Sequence, residues 1–187
     1  MANFMQPRPS LEQEGVFNRT GGKSLRESFN PKTMLRSPRE KLGGYVLLPR
    51  LIDKVRLYDQ GILPEEYHQN LLSLNKKPFD GRFLLFTGID RDPFRQVILS
   101  SLDDHAVLQW VEQHAIKHTI QEKEQWAASL VQSFFEPTPE MISYLTRVYP
   151  NLTEFIDPNT LDSANPFDLI DYDEGRISFS EVLQRRK

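Results

Sequence analysis

Between Gly44 and Tyr58 the chain reads GYVLLPRLIDKVRLY, with apolar residues returning every three or four positions. At 3.6 residues per turn Leu48, Leu51, Ile52, Val55 and Tyr58 share one face, and Arg50, Asp53 and Lys54 lie opposite. Pro49 suits a first helical turn, where its missing N–H has no partner in any case. A helix is predicted over Pro49–Gln60, with Gly61 free to take a left-handed cap. Leu57 falls on the polar face and implies a second apolar contact. Pro64 opens a short helix over Glu65–Leu74. The run Gly81–Thr87, with Asp80 as its cap and Gly88 as its stop, fits either a helix or a short buried strand, because its FLLF core has no decisive period.

Further helices are predicted over Pro93–Ser100, capped by Asp92, and over Asp104–Ile116, with Val107, Trp110, Val111 and Ala115 inward. Thr119-Ile-Gln-Glu122 has the spacing of a capping box, in which hydroxyl and carboxylate satisfy each other's backbone donors. It opens a helix over Ile120–Phe135 that buries Ala127, Leu130, Val131, Phe134 and Phe135. Pro139–Tyr149 follows, with Ile142, Leu145 and Val148 inward. Trp110, Leu130, Phe134 and Leu145 are expected in one core. After Asn151 the pattern reads as short turns. Short connections and no alternating strand series indicate an all-α fold: a compact multi-helix domain over residues 44–187.

Residues 1–43 have no sustained period. Pro7, Pro9, Pro31 and Pro38 interrupt any helix, and the apolar residues are sparse: Phe4, Phe17, Phe29, Met34 and Leu35. An extended, irregular N-terminal arm is expected, cut readily by protease if loose, and ordered only if Phe4, Phe17 and Phe29 insert into grooves of the body or a partner.

Hydrophobic residues at 39% and charged residues at 26% are ordinary for a globular domain. The net charge of −3 conceals a polarity: residues 1–43 carry eight Lys/Arg against four Asp/Glu, and the remainder carries 15 against 22. A basic arm on an acidic body either folds back or reaches an acidic partner. The excess is too small to indicate nucleic acid. With no cysteine there are no disulfides, thiolate sites or thiol nucleophiles, which is compatible with a cytoplasmic location. The apolar runs are too short to span a membrane, and MANFMQPRPS lacks the apolar core of a signal peptide.

Gly21-Gly22-Lys23-Ser24 ends like a phosphate loop but has Phe17 where the pattern needs glycine. His114 and His118 are spaced for a metal, with Glu122 as a third ligand, but the helix start at Thr119 turns His118 away. His114 therefore reads as a half-buried structural histidine making one hydrogen bond, and His68 and His105 as solvated. The Asp171–Glu181 stretch matches the second half of a calcium loop and fails in the first, where Ile170 and Tyr172 replace oxygen ligands. No nucleophile elbow is present. Neither a metal nor a cofactor is expected.

Leu48–Leu57, Phe79–Leu84 with Thr87–Asp90, Trp110, and Phe167–Asp171 with Asp173–Arg176 together resemble an uncharacterised family, the domain of unknown function numbered 5069. The resemblance spans about Gly43 to Ile177 and implies a stand-alone bacterial domain, with no catalytic residue to carry over. Its signature is rich in charge: Arg50, Lys54, Arg56, Asp80, Arg82 and Asp90. The ordinary reading is an ion-pair network joining helices to loops. The functional alternative is a polar pocket in which Arg50, Lys54, Asp80 and Arg82 hold a small anionic ligand. Two functions follow. The first is a non-catalytic interaction protein whose residues 1–43 dock on a protein partner. The second is a small-molecule-binding protein or enzyme, which requires Arg50, Asp80 and Arg82 to converge in one concave pocket.

Overall fold

A computed structural model describes residues 31–76, 78–132, 143 and 165–185. Its elements, in chain order, are a 3-10 turn at Pro31–Met34, a hairpin of β1 (Lys41–Leu42) and β2 (Tyr45–Val46), α1 (Leu48–Asp59), a 3-10 helix at Glu65–Asn70, α2 (Phe79–Thr87), α3 (Arg91–Ser100), α4 (Asp104–His114), α5 (Ile120–Gln132), α6 (Pro166–Asp173) and α7 (Phe179–Arg185). The fold is mostly helical, with one short antiparallel pair, Lys41 opposite Val46 and Leu42 opposite Tyr45. Gly43 and Gly44 turn the hairpin with φ of +59° and +82°, the positive pair that a tight two-residue turn demands.

α1 is the axis of the domain. Leu48, Leu51, Ile52 and Val55 are at most 1% exposed, and they pack with Tyr45, Phe83, Phe94, Ile98, Val107 and Val111. Phe83 sits at the centre: the Tyr45 ring meets it edge-on at 6.1 Å, and Phe94 stacks on it at 5.8 Å. Leu130 joins this core as expected, whereas Trp110 is only partly buried and packs against its edge. Phe134, Leu145 and the predicted helix Pro139–Tyr149 lie outside the described residues.

Leu57 does have its second contact, a smaller cluster with Leu35 and Leu63. Tyr58, expected on the inner face of α1, is instead 42% exposed. Arg50 and Lys54, expected on the solvent face, are buried. α1 is therefore enclosed on nearly every side, and its charges must be met internally. The FLLF run is helical rather than extended. Asp80 does not cap it: Pro78 takes that position, and the Asp80 carboxylate turns inward. α3 begins two residues earlier than expected. The Thr119 box forms as read, with Thr119 N donating to Glu122 Oε2 at 2.7 Å and Glu122 N to Thr119 Oγ1 at 3.2 Å.

Two expectations about the chain ends are corrected. Residues 31–43 carry a 3-10 turn and a strand, with Leu35 only 2% exposed, so this part of the arm belongs to the body. Phe4, Phe17 and Phe29 lie outside the described residues. At the other end, α6 and α7 replace the expected turns. Asn165 accepts from Phe167 N to cap α6, and a second capping box, Ser178 with Glu181, opens α7. No described helix is long and apolar enough to cross a membrane.

Candidate functional site

Arg50 and Lys54 stand one turn apart on α1 and flank the ring of Tyr67, at 5.7 and 5.9 Å from its centroid. The Arg50 guanidinium donates to both oxygens of Glu174, with Nη1 to Oε2 at 2.8 Å, and to the Arg36 carbonyl at 2.9 Å. Tyr67 Oη donates to Glu174 Oε1 at 2.7 Å, and Arg176 donates to Oε2 of the same carboxylate at 2.6 Å. Lys54 Nζ donates to both oxygens of Asp80, at 2.8 and 2.6 Å, and Asp80 Oδ2 also accepts the Leu72 amide at 2.9 Å. That last bond steadies Leu72 at φ +44°, a left-handed conformation that a leucine rarely adopts.

Burial shapes the ionisation of this cluster. It works against the charge of Arg50, but the bonds and charge of Glu174 outweigh it, and the guanidinium is held above its ordinary range. Burial also draws Lys54 below the usual lysine range, against the opposing pull of Asp80. For Tyr67, burial first and the neighbouring Glu174 carboxylate second raise the phenol, which stays protonated as a donor.

A rim of partly exposed pairs surrounds this centre. Lys32 Nζ lies 2.5 Å from Glu66 and 3.1 Å from Asp173. Arg36 reaches Asp53 and Asp104, each at 2.7 Å. Ser37 Oγ donates to Asp171 Oδ2 at 2.9 Å, and Arg39 Nη2 to Asp168 Oδ1 at 2.7 Å. Lys32, Arg36 and Arg39 thus fold back on the acidic body.

Of the four binding candidates, the structure brings Arg50, Lys54 and Asp80 together and leaves Arg82 apart. The Arg82 guanidinium lies over the Phe79 ring at 5.5 Å and borders a separate groove of about 300 Å³ with Leu85, Phe86, Trp126, Ser129 and Leu130. Sequence reasoning missed Glu174 and Tyr67. Asp173-Glu174-Gly175-Arg176 stood out only as part of the family signature and of half a calcium loop, although an acidic stretch at one end of the chain and a basic one at the other signal a pairing. It also missed Lys123, whose buried ammonium sits 3.7 Å from the Tyr45 ring centroid and donates to Gly43 O and Glu112.

The histidines are structural in different ways. His114 is exposed rather than half-buried. Its Nδ1 lies 2.8 Å from the Trp110 carbonyl, and its ring stacks on Trp110 at 4.2 Å. His118 turns away from it to stack on Phe86 at 3.9 Å. Among the described residues no group of three or more His, Asp or Glu could hold a metal ion.

The arrangement defines a helical domain closed by a buried ion-pair cluster that ties the segment Lys32–Arg39 and α1 to α6 and the turn after it. The model of the family described as Domain of unknown function (DUF5069) matches residues 32–176, and the chain belongs to that family. The match starts at the segment carrying Lys32, Arg36 and Arg39, eleven residues before the boundary that the resemblance suggested. No curated protein matches the chain.

Proposed function

We propose that the chain is a non-catalytic interaction domain, working in the cytoplasm, in which the residues preceding Pro31 dock on a protein partner. One observation supports this most. Arg50, Lys54 and Asp80 each meet a side-chain partner inside the domain, so the groups suited to hold an anionic substrate are engaged in holding helices together. The domain also offers the arm a fixed point of departure: Lys32 is paired to Asp173 and Glu66, and Leu35 is packed beside Leu57. The anion-pocket reading loses support because Arg82 borders a different groove from the one-turn pair on α1.

The test compares the full chain with a chain beginning at Pro31. Proteins captured by the full chain are identified, purified and measured again against both forms. The reading expects the shorter chain to lose affinity while keeping its melting temperature. Equal affinity for every purified partner would sink it.

A further inference from the structure

The α6–α7 unit, residues 165–185, carries bonds of its own. Asn165 caps its first helix, and Arg185 Nη1 donates to Asp168 Oδ1 at 3.0 Å. Arg176 Nε lies 3.1 Å from Asp171, and Tyr172 meets Phe179 edge-on. Its side-chain hydrogen bonds to Lys32, Ser37, Arg39, Arg50 and Tyr67 have one sense. The unit presents Asp168, Asp171, Asp173 and Glu174, and the body answers with Arg39, Ser37, Lys32, Arg50 and Tyr67. Asp168, Asp171 and Glu174 are three positions apart, the spacing of one helical face. Ahead of them Phe167 enters the core against Phe79, with ring centroids 5.0 Å apart, and Arg39 lies over its ring at 5.7 Å.

This is the anatomy of a docked ligand: one aromatic anchor, one desolvated charge pair at the centre, and a rim of partly exposed pairs. The cradle is basic although the chain as a whole is acidic. Rim pairs of this exposure are screened by salt and exchange readily.

We propose that the cradle of Lys32, Ser37, Arg39, Arg50 and Tyr67 is a docking site for an acidic helical segment of a partner, and that the chain's own Phe167–Glu174 is its resident occupant. The incoming segment carries an aromatic residue followed by carboxylates at three-residue spacing, and it displaces the α6–α7 unit. The site is built from residues outside 1–30 and does not depend on the docking assigned to them.

The probe is a fluorescent peptide of residues 165–185, added to the full chain and followed by anisotropy. Gly175 stands at φ +74° with nothing within 4 Å of the position a Cβ would take, so Gly175→Ala strains the turn after Glu174 and leaves the cradle untouched. Apparent affinity scales with the fraction of cradles that are open, so the peptide should bind the Gly175→Ala chain roughly tenfold more tightly than wild type. Binding should weaken as salt rises. It should be lost when the peptide carries Glu174→Gln, and also when the chain carries Arg50→Met. The peptide substitution leaves the protein intact, so the test survives if Arg50→Met does not fold. Equal affinity for wild type and Gly175→Ala, or undiminished binding of the Glu174→Gln peptide, would overturn the proposal.

Discussion

Arg50 and Glu174, 124 positions apart in the chain, form one ion pair with side chains 7% and 0% exposed. Such a pair contributes little net stability over apolar replacements, but removing one partner strands a charge. Glu174→Ala should therefore cost about 3–5 kcal/mol. The double variant Arg50→Met/Glu174→Leu should be much nearer wild type. Urea unfolding of the three proteins decides it, and equal losses in the single and double variants would place the cost elsewhere.

Gly81 is where α2 meets the preceding loop backbone to backbone. A Cβ there would overlap the Asn75 carbonyl oxygen and lie 2.7 Å from that of Ser73. Neither atom is the end of a flexible side chain. Gly81→Ala should lower the melting temperature by well over 5 °C, since about 1 kcal/mol already shifts a domain of this size by a few degrees. A differential scanning trace unchanged from wild type would show that the loop yields freely.

Residues 31–43 should prove inseparable from the domain. A chain starting at Gly44 loses Leu35, Arg36 and β1 together, and it should melt lower and less cooperatively than one starting at Pro31. Leu35→Ala alone should cost about 2–5 kcal/mol, the usual range for a buried leucine. Matching melting curves for the two truncated chains would contradict this.

Asp104 should report on acid stability. Burial pushes its carboxyl up, but the bonds from Arg36 and Arg56, each 2.7 Å, outweigh that and hold it below its ordinary value of 3.8. A folded value below the unfolded one contributes stability above pH 3.8, which is lost as pH falls through the folded value. The stability gap between wild type and Asp104→Asn should therefore be constant near neutrality and close below pH 3.8. Asp171 and Asp173 have the opposite sign. Burial raises both, so their contribution is present below 3.8 and lost as pH rises through their folded values. Equilibrium unfolding across pH, wild type against each asparagine variant, separates the two signs.

The helices with local signatures were legible. Thr119 with Glu122 and the apolar spacing of Leu48 to Val55 are short-range signals, and each element formed where its signal lay. Ser178 with Glu181 carried the same capping signature, and the apparent calcium loop around it drew the reading elsewhere. The polar face assigned to α1 failed for a different reason. Periodicity places Arg50 and Lys54 opposite Leu51, but it says nothing of Glu174 and Asp80, which make their burial tolerable. The candidate site was half visible for the same cause. The α1 pair and Asp80 stood out by their charge, while their closing partner came from a turn far along the chain.

The clasp between the two ends of the domain also has an order in time. Lys32 meets Asp173 across 141 positions, and Arg50 meets Glu174 across 124. At roughly 5–20 residues per second of synthesis, the Arg50 cation waits about 6–25 s for its carboxylate to be made. During that interval α1 cannot be enclosed on its charged side, and the core around Phe83 has to mature with that side wet. The last step of folding is then the arrival of the α6–α7 turn rather than the collapse of the helices, and a nascent chain halted before Glu174 would display the basic cradle to whatever acidic segment stands nearby.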